Sequence, residues 1–164
     1  MTVISTTKDA TRLTLTIVAD FDASPDRVWR VWEDPRQLER WWGPPTYPAT
    51  FTRHDFVVDG ESRYFMTGPT GETPRGWWRF ISIDRPHRLD FANGLAGEDG
   101  EPEPGTDPAP TYVTLEAVDG GTRMTTVTRF VDTGQMEAML ERGMDEGMGL
   151  AIGQIDSLLA STPA

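Results

Sequence analysis

Apolar and polar positions alternate with period two over residues 12–21 (RLTLTIVADF), where Leu13, Leu15 and Ile17 fall on one side. That alternation predicts a half-buried strand. The rhythm changes at Ser24-Pro25, a favourable N-cap followed by a residue suited to the first helical position. Val28, Trp29 and Trp32 then form an apolar stripe at helical spacing. Asp34-Pro35 predicts a second short helix, with Gln37 placed for a capping-box-like contact. It ends at Trp41-Trp42, because Gly43-Pro44-Pro45 cannot continue a helix. Strand patterns return at 49–58, 62–67, 76–83 and 88–93, separated by turn signals at Asp59-Gly60, Gly68-Pro69-Thr70-Gly71 and Asp84-Arg85-Pro86. A last hairpin, 111–118 with 122–131, is predicted across Asp119-Gly120-Gly121. Residues 134–160 predict one long helix, with Met136, Met139, Leu140, Met144, Met148, Ile152, Ile155, Leu158 and Leu159 at three- and four-residue steps.

The order is strand, two short helices, a run of strands and a long helix. This predicts an α+β, helix-grip fold: a curved antiparallel sheet of about seven strands wrapped around the C-terminal helix. Residues 9–160 are read as one domain. Residues 96–110 (AGEDGEPEPGTDPAP) are too polar and Pro/Gly-rich to pack, but strands resume after them. They are therefore a flexible acidic loop within the domain.

Composition narrows the function. A formal net charge of −11 opposes nucleic acid and anionic membrane surfaces as partners. With no Cys in the chain, disulfides, thiolate nucleophiles and Cys-bound zinc are excluded. The first residues, MTVISTTKDAT, lack the apolar centre of a signal peptide, and no apolar run is long enough to span a bilayer. A cytoplasmic location is the simplest expectation. Six Trp, seven Phe and seven Met give the core large and adaptable side chains.

Strand parity selects the residues expected to face a cavity between sheet and helix. They are Tyr64, Met66, Trp78, Phe80, Phe91 and Met124, with Met139, Met144, Met148 and Ile152 from the helix and Trp42 near the mouth. Leu89, Thr126, Thr128 and Phe130 share the inward parity. Gly143, Gly147, Gly149 and Gly153 are costly inside a helix, which points either to close approach by backbone or ligand or to a helix that is kinked or begins later, near residue 146. Neither His54 nor His87 belongs to a metal-ligand spacing, so no metal and no cofactor is expected. If the pocket is catalytic, Tyr64, His54, Arg63, Arg129 and Glu116 are the acid–base candidates by position; no catalytic set follows from spacing.

These motifs carry a resemblance. Ser24-Pro25-Asp26-Arg27-Val28-Trp29, then Asp34-Pro35, Leu38 and Arg40-Trp41-Trp42-Gly43-Pro44 open the pattern. Arg63-Tyr64-Phe65-Met66, Gly76-Trp77-Trp78-Arg79-Phe80-Ile81, Asp84-Arg85-Pro86-His87-Arg88-Leu89 and Gly143-Met144-Asp145-Glu146-Gly147-Met148 complete it. Together they resemble the SRPBCC superfamily, also called START-like or Bet v-like, in its activator-of-heat-shock-ATPase-homologue (AHSA-like) branch. The resemblance covers about residues 9–160 and implies a deep hydrophobic pocket without fixing a reaction. Met148 stands where relatives often carry Trp, and the acidic loop is longer than usual. The expected function is binding of a small hydrophobic or aromatic ligand between sheet and helix. The alternatives are a cyclase, dehydratase or hydrolase using the same pocket, and a chaperone-associated interaction module. A homodimer is a further possibility.

Overall fold

A computed structural model describes residues 3–161. Eight strands form one antiparallel sheet: β1 (Val3–Asp9), β2 (Thr14–Phe21), β3 (Ala49–His54), β4 (Glu61–Met66), β5 (Arg75–Asp84), β6 (Arg88–Ala96), β7 (Ala109–Val118) and β8 (Gly121–Arg129). Their order across the sheet is β1-β2-β8-β7-β6-β5-β4-β3. The helices are α1 (Pro25–Glu33), α2 (Pro35–Leu38), α3 (Thr133–Glu141), α4 (Met144–Gly153) and α5 (Ile155–Ser161). The architecture is the α+β helix-grip fold expected from the pattern, with eight strands where the pattern predicts about seven. The extra strand, β1, lies in the polar N-terminal stretch and pairs with β2 at the sheet edge. An edge strand of this kind needs no apolar alternation, because its ladder of backbone hydrogen bonds holds it in place.

Local chemistry places the short helices. Ser24 Oγ accepts from Arg27 N–H at 3.3 Å, and the Asp34 side chain accepts from Arg36 N–H at 2.9 Å. Both helices therefore begin where a short polar side chain satisfies a free backbone donor. Gln37 reaches back to the Asp34 carboxylate at 3.2 Å and accepts from Arg27 at 2.9 Å. The second helix stops at Leu38, and Trp41-Trp42 lie in the turns beyond it. Gly43 is required there, since a Cβ at that position would run into the Tyr47 carbonyl.

The predicted helix 134–160 is broken twice. Gly143 adopts a left-handed conformation (φ 81°), ending α3 and opening α4. The chain breaks again at Gln154, whose side-chain amide donates to the Gly43 carbonyl at 2.7 Å. This bond ties the C-terminal segment to the Trp41-Trp42-Gly43 turn. Gly147, Gly149 and Gly153 have open space where a Cβ would sit, so close packing does not explain them. Gly149→Ala is therefore expected to raise stability by about 0.5–1 kcal/mol, through helix propensity and a less free unfolded chain. A thermal melt checks this; a lower Tm would show an unseen constraint at that site.

Candidate functional site

The inner face of the sheet is unevenly filled. Towards α1 it is solid. Trp32 packs its ring against Trp41 at 4.7 Å, Phe91 at 6.0 Å and Trp78 at 6.1 Å, and its indole N–H donates to Met124 Sδ at 3.4 Å. Trp78 stacks on Phe91 at 4.2 Å and meets the edge of Trp42 at 4.7 Å. Away from α1 the sheet and the C-terminal helices separate, leaving a cavity of 270 Å³.

Tyr64 and Met66 from β4 and Leu95 and Asn93 from β6 form the sheet side of this cavity. Trp42 and Pro44 close one end, and Asp107, Ala109 and Phe130 another. Gln135 and Met139 of α3, Arg142 and Gly143 at the helix break, and Met144, Gly147 and Met148 of α4 form the opposite wall. The break at Gly143 sets which helical residues face inward.

Six of the eleven residues expected to line a pocket do so: Trp42, Tyr64, Met66, Met139, Met144 and Met148. Trp78, Phe80, Phe91, Met124 and Ile152 are instead 0 % exposed and belong to the packed core beside the cavity. Parity assigns a residue to a face of the sheet but not to a position along it, and Trp32 of α1 covers Trp78, Phe91 and Met124. Asn93, Leu95, Gln135 and Arg142 are cavity residues that the sequence pattern does not select. Extending the inward parity of Leu89 and Phe91 by one and two steps reaches Asn93 and Leu95. Nothing local in the sequence signals Arg142, whose placement depends on the helix break.

The acid–base candidates do not converge. Only Tyr64 lines the cavity. Burial raises its hydroxyl pKa, against the lowering pull of the Trp42 and Trp78 indole N–H groups. Those two N–H groups are buried and make no hydrogen bond of good geometry.

Arg63 lies on the outer face, bound to Glu61 at 2.6 Å and Glu101 at 2.9 Å. It also donates to the Gly100 carbonyl at 2.6 Å, so the tip of the acidic loop is drawn to the outer side of the sheet. The base of that loop, at Asp107, borders the cavity. Arg129 borders a separate surface hollow with Arg12 and Tyr112, and Glu116 is exposed opposite Arg123. Among the described residues no group of three His, Asp or Glu side chains is arranged to hold a metal ion.

His54 is a half-buried link between α1 and the sheet. One ring nitrogen, Nε2, lies 3.0 Å from the Trp32 carbonyl, and Nδ1 lies 2.7 Å from Ser62 Oγ. The carbonyl only accepts, so Nε2 carries the proton and Nδ1 accepts from the hydroxyl. Burial lowers the His54 pKa below its usual 6.5, outweighing the Trp32 and Glu33 carbonyls and the Asp55 and Asp34 charges that raise it. A folded-state pKa below the unfolded one gives stability that is complete above about pH 6.5 and is lost as pH falls through the folded value. Tm measured from pH 8 to 5 should fall on the acid side, and more steeply than in His54→Gln. Equal slopes would contradict this assignment.

The fold and the cavity together define a helix-grip protein with a half-open, mainly apolar pocket between the sheet and the C-terminal helices. The chain belongs to the family described as "Activator of Hsp90 ATPase homolog 1-like protein", whose model matches residues 22–160, within the SRPBCC superfamily. A solution structure of a protein from Arthrobacter aurescens is 50% identical, with a TM-score of 0.93, over 98% of this chain and 94% of that one. A crystal structure of a Mycobacterium smegmatis protein is 41% identical, with a TM-score of 0.90, over 99% of both chains. An AHSA1 protein from Silicibacter pomeroyi shares the fold at 19% identity, with a TM-score of 0.73 over 90% of this chain and 98% of that one. Comparison with curated proteins gives no match. No helix among the described residues is long and apolar enough to cross a membrane.

Proposed function

We propose that this protein binds one small hydrophobic or aromatic molecule in the cavity between the sheet and α3–α4. The observation that carries the reading is an unfilled 270 Å³ space walled by Trp42, Tyr64, Met66, Met139, Met144 and Met148, beside a core that is otherwise densely packed. An apolar cavity of about 150 Å³ accepts benzene, so this one suits a ligand of one or two rings. Thioethers adapt their shape to such a guest. Binding is favoured over catalysis because Tyr64 alone of the five acid–base candidates reaches the cavity.

Native mass spectrometry of freshly purified protein, followed by thermal shift against single- and double-ring aromatics, tests the reading. A ligand held at about a hundred times its Kd should add roughly 2.7 kcal/mol of stability. If no compound of this size raises Tm and no mass is carried, the reading fails.

A further inference from the structure

We propose that the ligand is an anionic amphiphile, a carboxylate on a ring-bearing body, and that Arg142 and Asn93 are the residues that select it. This rests on the binding reading above and concerns the chemistry of the same cavity.

The apolar walls account for the body of a ligand but not for Arg142 and Asn93, two of the polar residues that border the cavity. Arg142 borders the cavity from the helix break, exposed to solvent at its rim. No ion pair or hydrogen bond is made by its guanidinium among the described residues, although the chain carries 26 acidic residues and most arginines on the sheet are paired. Asn93 lines the cavity from β6, on the same inward parity as Phe91, and its carboxamide has no partner among the described residues either. A wholly apolar guest would strip water from that amide and give nothing in return. A carboxylate accepts from the amide N–H and pairs with the guanidinium, whose planar fork matches its two oxygens.

Two charges oppose an anion. Asp107 borders the same cavity, and the chain is acidic overall. The overall charge acts weakly here, because exposed charges beyond about 8 Å are largely screened at physiological salt. Asp107 is the nearer opponent. It forms no ion pair with Arg142 among the described residues, so it leaves that guanidinium available. The Gln135 amide, by contrast, is occupied, bound to the Asp107 backbone carbonyl at 2.8 Å and to the Val131 N–H at 2.8 Å. It is part of the frame and not a free contact.

Two probes with the same rings separate the contributions: 2-naphthoate and 2-naphthylmethanol, titrated calorimetrically into the full chain at pH 7.5. The carboxylate is expected to bind about tenfold more tightly, the size of one charge-assisted contact. Arg142→Gln should remove that preference and leave the alcohol unchanged. Asn93→Asp, of the same shape but charged, should weaken the carboxylate selectively, and Asp107→Asn should strengthen it a few-fold. Equal binding of both probes by the unaltered protein overturns the anion assignment while leaving the pocket reading intact. So does an Arg142→Gln variant that weakens both alike. If neither probe binds, the anion assignment falls, while the pocket reading is decided by the wider thermal-shift series and the native mass.

Discussion

Trp78→Ala is expected to cost about 3–5 kcal/mol, the range for removing a large aromatic from a packed core. Trp78 is 0 % exposed and lies at the centre of the inner-face aromatic cluster. It stacks on Phe91 at 4.2 Å, meets Trp42 at 4.7 Å and Phe51 at 5.5 Å, and touches Trp32 and Phe80, each at 6.1 Å. Those neighbours come from different elements, so they cannot collapse together into the space left behind. The void would also open towards Trp42 and Tyr64, which already border the cavity. Domains of this size hold only about 5–15 kcal/mol in total, so the loss is a large share. Thermal and urea melts should show a Tm drop of roughly 6–20 °C. Trp78→Phe should cost far less. Its ring keeps most of the contacts, and the exchange removes an indole N–H that is buried without a hydrogen bond. A Trp78→Ala loss below about 1 kcal/mol would show that the cluster relaxes freely, contrary to close-packed interiors.

The same cluster shows what the sequence reveals and what it withholds. Period-two alternation identifies seven strands and the inward parity of Tyr64, Trp78, Phe80 and Phe91, because side-chain direction in a strand is local geometry. Ser24 and Asp34 mark the helix starts for a similar reason: a cap bonds within a few residues of itself. β1 escapes notice because Val3–Asp9 is polar over most of its length, and an edge strand is held by backbone pairing with β2. The helix break at Gly143 is masked by a Met pattern that continues across it. Four glycines in one helix are a visible signal of trouble, but only the φ of 81° at Gly143 shows which of them ends α3. The division between filled core and open cavity is not legible at all. It depends on where α1 lies over the sheet, a long-range relation between Trp32 and strands β5, β6 and β8.

The cavity wall therefore yields the second large effect. Met148→Trp is expected to reduce the affinity for a two-ring ligand such as 2-naphthylmethanol by about a hundredfold or more, near 2.8 kcal/mol of binding energy. Met148 borders the cavity beside Gly147 and Met144, and an indole in its place would occupy the volume the ligand needs. The cost to folding should be small. Overpacking a filled core costs about 1–3 kcal/mol because neighbours must move, whereas here the added atoms enter existing space. Met144→Trp, from the other side of Gly147, should act in the same direction. Trp78→Ala and Met148→Trp thus make opposite predictions: the first loses stability with a larger cavity, the second loses binding with stability within about 1 kcal/mol of the parent. Calorimetric titration beside a thermal melt separates them. A Met148→Trp protein that folds normally and binds the two-ring probe undiminished would place the ligand elsewhere. If it fails to fold, the space beside α4 is not free to be filled.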